Sequence, residues 1–357
     1  MNNFLKISCL VYFLLLFPFL LNAQQDDVEF LLKDIVITKI TSDGENLWIA
    51  TNGNGIFEYN LSTKKFTEHS SRTENLQIDF FHSIAANKDF VWAGSTDGLF
   101  IYDKKNKNWS RRKFSLGGIY ANWIRALTYD DKNNVLWIGR FQYLTKYDLS
   151  SRKYTDIDLT IRNSTRTNNI KSLLIDENYL WIGTEAGLHR YDTSKKINEP
   201  GARIFFDTKN NSFNSDGELA SISSLLNDRE FIWVGLDEFV TEERPEFNVG
   251  GLFRFDKKSD WLLFDGTKGL TGNGVFSLER TGNYIWASLY QFGKSTKEIF
   301  GRGIVLINRI NNQVIPIRDE NIPRLVYSIF FDGTNLWIGT EKGLIKINFF
   351  NKLAMWK

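Results

Sequence analysis

The sequence is poor in cysteine, histidine and proline, and its charge is balanced. Its one cysteine, Cys9, lies in an apolar N-terminal stretch, and its histidines are His69, His82 and His189. With that stretch removed, a disulfide framework, a thiolate metal site and a cysteine nucleophile are all excluded. Three scattered histidines do not make a multi-histidine metal centre either, so neither a metal nor a cofactor is expected. Lys and Arg number 44 against 42 Asp and Glu, with no dominant run of one sign. That excludes a nucleic-acid footprint. Pro is only 5, while hydrophobic residues make up 42%, aromatics 15% and charged residues 24%. A folded chain with tight turns and much aromatic core fits this balance.

Lys6, the apolar run Ile7 to Leu21 and the small residue of Leu21-Asn22-Ala23 read as a secretory signal peptide over residues 1–23. The run is shorter than the roughly 20 residues that span a bilayer. Cys9 sits at its start, where a lipid-anchor cysteine would follow it. Cleavage after Ala23 leaves 334 residues with a net charge of +1. The expected product is exported (periplasmic, outer-surface or secreted), monomeric and without a transmembrane span. The expected domains are a lead over 24–34 and one folded unit over 35–357.

Seven tryptophans recur at one place in a repeating pattern: Trp48, Trp92, Trp137, Trp181, Trp233, Trp286 and Trp337. The spacing is 44 or 45 residues in the first half and 51 to 53 in the second, which is propeller-blade spacing. Upstream of each comes an apolar-x-x-apolar-x-x-polar stretch, as in Ile170/Leu173/Asp176. A Trp segment such as Leu180-Trp181-Ile182-Gly183-Thr184 follows, then a Gly-led strand such as Gly187 to Asp192. A short strand centred on Phe66, Trp109, Tyr154, Phe205, Trp261, Val314 or Met355 ends each unit. Four short strands, A to D, seven times over, predict an all-β, single seven-bladed β-propeller with four antiparallel strands per blade. The last strand, Leu353 to Trp356, is expected to complete blade 7 from its own unit. Closure would then rest on packing of blade 7 against blade 1, although Val28 to Leu32 could add an outer strand.

The Leu-Trp-Ile-Gly-Thr, Gly-Leu and Tyr-Asp pieces resemble the two-component-regulator propeller repeat, most closely at Tyr179 to Asp192 and Asn335 to Asn348. The resemblance covers about residues 35–357. It implies the fold of an extracytoplasmic sensor read out by carbohydrate ligands. It departs from that family's pattern in showing one propeller and no kinase or DNA-binding domain, so a stand-alone secreted chain is expected. A membrane sensor or an outer-surface protein would then be its partner.

In an antiparallel blade the A–B and C–D turns share one face, and the B–C and D–A loops the other. The A–B turns keep one length, whereas the B–C loops stretch in blade 5 (Leu236 to Gly250) and blade 6 (Leu289 to Arg302). Variable loops on a rigid scaffold mark the working face. Two rings are expected at its mouth. One follows the first residue of strand A: Thr38, His82, Arg125, Lys171, Ser223, Phe276 and Tyr327. The other lies three residues after Trp: Thr51, Ser95, Arg140, Thr184, Leu236, Leu289 and Thr340. Tyr143 replaces the glycine that opens strand C elsewhere, which predicts a different loop backbone in blade 3. His82, Arg125, Arg140 and Lys171 on neighbouring blades form a candidate site for an anionic ligand. Trp123, Tyr143 and Tyr290 would offer flat faces to sugar rings, with Tyr327 nearby. Equally, Glu185 or Asp237 could pair with a single Arg and leave no site.

The expected function is a non-enzymatic binding propeller for a glycan, anionic or not, or for another extracellular partner. A polysaccharide lyase is the alternative, with Arg125 or Arg140 neutralising a uronate while His82 and Tyr327 act as base and acid. A glycosidase would need a convergent carboxylate pair, yet Glu185, Asp237 and Glu341 lie in different blades. A protein scaffold using the blade-5 and blade-6 loops is the third reading. The Asp or Asn after strand A reads as a turn former, and His69 and His189 as outer-strand residues.

Overall fold

The structure is a computed structural model; it describes residues 28–349 apart from 75, 211 and 216, together with Trp356. The leader and most of the final segment, including the strand expected around Met355, lie outside the described residues. Seven four-stranded antiparallel sheets stand around one axis. Blade 1 runs through Ile37–Ser42, Asn46–Thr51, Ile56–Asn60 and Phe66–His69 as strands A to D. The next five blades repeat this order, their A strands being Ser83–Ala86, Ile124–Asp130, Ile170–Asp176, Ile222–Asn227 and Gly274–Thr281. Blade 7 is built from Val326–Phe331, Asn335–Thr340, Gly343–Asn348 and the N-terminal strand Val28–Leu31.

That last strand corrects the expectation about closure. Val28 pairs with Ile347 and Leu31 with Leu344, so the N-terminus supplies the outer strand of blade 7 and the ring closes by exchange. The strand has four residues and no tryptophan motif, so it left little trace in the repeat pattern. It covers a strand edge that would otherwise be open to pairing with other chains.

The tryptophans hold neighbouring blades together. All seven are at most 2% exposed. Each sits in a cluster with the following blade: Trp48 with Phe81 and Ile84, Trp337 with Ile37 and Ile40. In five blades a glycine two residues after Trp makes this contact possible, while blades 1 and 6 carry Ala50 and Ser288 there. A methyl group at Gly94 would lie 2.6 Å from Ile124 Cγ2, and one at Gly339 would lie 2.6 Å from Ile37 Cγ2. In those five blades the next blade's Ile or Val (Ile37, Ile124, Ile170, Ile222 or Val275) thus rests on bare backbone.

The polar residue after strand A forms the turn, as expected, and in several blades also takes the indole. Asp43 Oδ1 accepts from the Asn46 amide at 2.7 Å, while its Oδ2 accepts from Trp48 Nε1 at 2.7 Å. Asp228 and Asp332 hold Trp233 and Trp337 at 2.9 and 2.7 Å. Thr281 does so for Trp286 at 2.7 Å.

At the opposite, loop-rich end, strand A carries a β-bulge. The register slips between Ile37 and Lys39, and at the equivalent place in blades 3 to 7. A bulge leaves one residue out of the ladder and re-aims its side chain. The released residues are Thr38, Arg125, Lys171, Ser223, Phe276 and Tyr327.

Candidate functional site

The bulge residues and His82 all line one central cavity of about 270 Å³. The first expected ring is therefore real as a piece of geometry, and the bulge is its physical cause. Polar members (Thr38, His82, Arg125, Lys171, Ser223) occupy blades 1 to 5. Phe276 and Tyr327, with ring centroids 5.3 Å apart, make an apolar wall on blades 6 and 7.

The second ring does not reach the cavity. Thr51, Ser95, Thr184 and Thr340 are buried, and each hydroxyl donates to the carbonyl of the residue that opens or precedes strand C. For Thr184 that acceptor is the Gly187 carbonyl at 2.8 Å, and for Thr340 it is Gly343 at 2.8 Å. These side chains lock the B–C turn instead of facing a ligand.

Arg140 shares that fate, which corrects its placement among the site residues. It is fully buried. Its Nη1 donates to the Leu116 carbonyl at 2.6 Å and the Ala121 carbonyl at 3.2 Å, and its Nη2 to Asp156 Oδ1 at 2.8 Å. Burial lowers its pKa, with Asp156 opposing. A guanidinium wrapped this way orders the loop before strand A of blade 3. The loop-backbone expectation for Tyr143 is also corrected. Its φ is 75°, the value found at Gly55, and it keeps the left-handed turn that Gly98 and Gly187 make in their blades. The Tyr143 amide donates to the Asn168 carbonyl at 3.2 Å, and its ring lies 5.6 Å from the Arg140 guanidinium. Tyr143 therefore packs on Arg140.

The remaining cations at the rim are matched by carboxylates of the next blade. Arg125 Nη1 donates to Glu185 Oε1 at 2.7 Å, and Glu185 Oε2 accepts from Asn169 at 2.9 Å. These donors hold the Glu185 carboxyl below its ordinary range against the effect of burial. Lys171 pairs with Asp237, which also accepts from Ser221 Oγ at 2.7 Å and from Tyr290 Oη at 3.0 Å. Burial and the nearby Arg125 push the Lys171 ammonium down, against Glu185. Glu185 and Asp237 are thus the local partners that sequence reasoning weighed against a basic cluster. Tyr290 is only 3% exposed, so it serves Asp237 and offers no open face. His82 stays exposed to the cavity, and burial together with Arg125 lowers its pKa.

Trp123 lies beside the cavity-lining Arg125, with companions that the sequence reading missed. Its ring stacks on Phe141 at 5.1 Å and 13°, and Tyr120 lies 4.7 Å from Phe141. Tyr120 is 45% exposed. The Arg125 guanidinium sits 5.6 Å from Trp123 and 5.4 Å from Phe141, which joins this aromatic shelf to the cavity. Phe141 follows Arg140 where five other blades have Asn, Thr, Asp or Glu and blade 6 has Tyr290, and that was the available signal. The blade-6 insertion is mostly strand rather than loop, Tyr284–Phe292 pairing with Ile299–Asn308. Glu238 of the blade-5 loop braces it by accepting from the Phe292 amide at 2.7 Å.

His69 lies on the outer strand of blade 1, as expected, and is buried. Its Nδ1 is 2.8 Å from Glu74 and its Nε2 is 3.5 Å from Glu58. These carboxylates raise its pKa against burial. His189 is not on an outer strand; it sits on strand C of blade 4, Gly187–Asp192. Its Nε2 is 2.8 Å from the Thr167 carbonyl, and burial pushes its pKa down to about 3. Among the described residues there is no group of three or more His, Cys, Asp or Glu able to hold a metal ion.

Compared with known protein families, the chain matches none. It is 26% identical over 200 residues to Histidine kinase P4 of Formosa agariphila, a match covering 53% of this chain and 15% of that protein. The extracellular domain of the hybrid two component system BT4673 from B. thetaiotaomicron superposes with a TM-score of 0.65 at 21% identity. That match covers 90% of this chain and 39% of the other. The corresponding domain of BT3049 gives 0.63 at 17%, covering 90% and 41%. Virginiamycin B lyase from Staphylococcus aureus gives 0.63 at 15%, covering 90% and 98%. At these identities the likeness to solved structures is one of fold. The chain spans well under half the length of the two-component relatives it matches. Its structural neighbours include sensor-type extracellular propellers of hybrid two-component systems, and a histidine kinase is similar in sequence. No helix among the described residues is long and apolar enough to cross a membrane.

Proposed function

We propose that the chain is an exported, sensor-type binding propeller that takes a glycan at the mouth of its central cavity. The observation that carries this is the union of a cavity lined from all seven blades with the Tyr120–Trp123–Phe141 shelf beside its Arg125. Flat aromatic faces beside a concave site with a few placed polar groups suit a ring-shaped, hydroxyl-rich ligand. Export by a signal over residues 1–23, and a membrane sensor or outer-surface protein as partner, belong to the same reading. The likeness to extracellular sensor domains supports it. The lyase alternative is the weaker reading: His82, Arg125 and Tyr327 line the cavity, but Arg140 is buried and Arg125 is held by Glu185.

A glycan-array screen of the processed chain, with an ultraviolet assay for unsaturated products, tests this. Binding without new absorbance is the expected result. New absorbance would make the chain a lyase, and no binding to any glycan would sink the proposal.

A further inference from the structure

The third residue of strand A forms a second tier just below the bulge ring. It is Ser83, Ser172, Ser224, Ser277 and Ser328 in five blades and Ala126 in a sixth. Several of these serines tie one A strand to its neighbour. Ser172 Oγ donates to the Ile222 carbonyl at 3.1 Å, and Ser328 Oγ accepts from the Ile40 amide at 3.2 Å. Blade 1 breaks the tier with Lys39, which lines the same central cavity as His82.

Lys39 differs from the other cations there. Arg125 and Lys171 each hold a carboxylate. The Lys39 ammonium makes no hydrogen bond and no ion pair within 4.0 Å with any described residue. The opposing charge it feels is that of Glu279, on strand A of blade 6. Both Glu279 oxygens are already engaged, by the Arg280 amide at 2.8 Å and the Phe331 amide at 3.3 Å. Burial pushes the Glu279 carboxyl up to about 7, so it is a weak counter-charge near neutral pH. Lys39 is exposed on strand A and lines the cavity, so an ammonium without a full counter-ion there gains from any anion that enters.

We propose that Lys39 is the anion anchor of the cavity, taking a compact anionic group of the ligand, a sugar carboxylate or sulfate ester, with His82 beside it. The proposal rests on the reading that this cavity binds a glycan. It moves the acidic subsite from the rim, where the cations are already paired, to a tier below it.

The test is isothermal titration of the processed chain with D-glucuronate, D-glucose 6-sulfate and D-glucose. Lys39→Ser is the main variant, because serine holds this position in five other blades and the fold accommodates it; Lys39→Arg is the rescue. At least one anionic sugar should bind more tightly than glucose, and the preferred one names the group. Lys39→Ser should weaken that binding roughly ten- to a hundredfold while leaving glucose unchanged, and Lys39→Arg should restore most of it. Equal affinity of all three sugars for the wild type would overturn the proposal. So would Lys39→Ser binding the anionic sugar like wild type. A glycan-array hit indifferent to Lys39→Ser removes the anchor alone, whereas an empty array removes the binding function itself.

Discussion

Arg140 Nη2 lies 2.8 Å from Asp156 Oδ1, inside blade 3 and away from the cavity that its sequence position suggested. The same Asp156 oxygen accepts from Thr145 Oγ1 at 2.6 Å, and the other arginine nitrogen holds two loop carbonyls. Removing the guanidinium leaves all of these acceptors with fewer donors. Breaking a buried pair from one side costs roughly 3–5 kcal/mol, and Asp156 is a third exposed, which favours the lower end. Arg140→Ala should therefore lose about 3 kcal/mol in urea denaturation. A loss below about 1 kcal/mol, typical of surface pairs, would show that the network is not structural.

The N-terminal strand gives a second prediction. Val28–Leu31 covers Gly343–Asn348 along its whole length, and Val28 and Leu31 pack against the clusters on either side of blade 7. A chain beginning at Lys33 keeps every tryptophan motif but exposes that edge. It should melt at lower temperature and self-associate in sedimentation, because an open strand edge templates pairing. Unchanged melting and a monomeric profile would mean that the ring closes without the exchange.

The two buried histidines predict opposite pH dependences. The His69 pKa is raised, so its stabilisation is fully present below about 6.5 and fades as pH rises through the folded value. The His189 pKa is lowered to about 3. Between about 6.5 and 3 the unfolded chain takes up a proton that the native state refuses, and stability falls as the solution is acidified through that window. His69→Gln should therefore cost more at pH 5.5 than at pH 9. His189→Gln should cost less at pH 4.5 than at pH 8. Parallel denaturation curves for either variant and wild type across pH would refute the assignment.

Much of this architecture is legible in the sequence because each blade repeats one solution to the same packing problem. The Trp-x-Gly pair encodes an indole and a bare backbone against which the next blade's Ile or Val can rest, as at Trp92, Gly94 and Ile124. The bulge ring was legible for a related reason: it holds a fixed place after that apolar residue. The second ring was misread because a hydroxyl that locks a turn and one that faces a ligand occupy the same position in the text. Thr184 and its bond to Gly187 show this. Charge pairing was legible only as an alternative: Glu185 and Asp237 stood out as possible partners, but which cation each would take was not. Arg125 and Glu185 are 60 residues apart in sequence, and only the placement of blade 4 beside blade 3 joins them. Lys39 stands in the third strand-A position as a lysine among serines and one alanine, next to the more varied bulge position.

The aromatic shelf carries the last prediction. Trp123 and Phe141 stack nearly parallel, and the Trp123 carbonyl accepts from the Phe141 amide at 2.8 Å. The backbone thus fixes the two rings together while Tyr120 extends them into solvent. Tyr120→Ala removes a half-exposed ring from the shelf and should leave unfolding within about 0.5 kcal/mol of wild type, as surface substitutions usually do. Trp123→Ala also frees the Arg125 guanidinium from one ring face and should cost somewhat more. If a sugar ring rests on this shelf, both variants should weaken a glycan identified on the array by roughly three- to thirtyfold, since truncated anchors at binding sites commonly cost about 1 kcal/mol or more. The Arg125–Glu185 pair offers a control, because it shares the rim but presents no open aromatic face. Glycan binding by Tyr120→Ala and Trp123→Ala at wild-type strength would move the ligand off the shelf, toward the recess of about 400 Å³ that Phe300, Arg302, Arg324 and Glu341 line between blades 6 and 7.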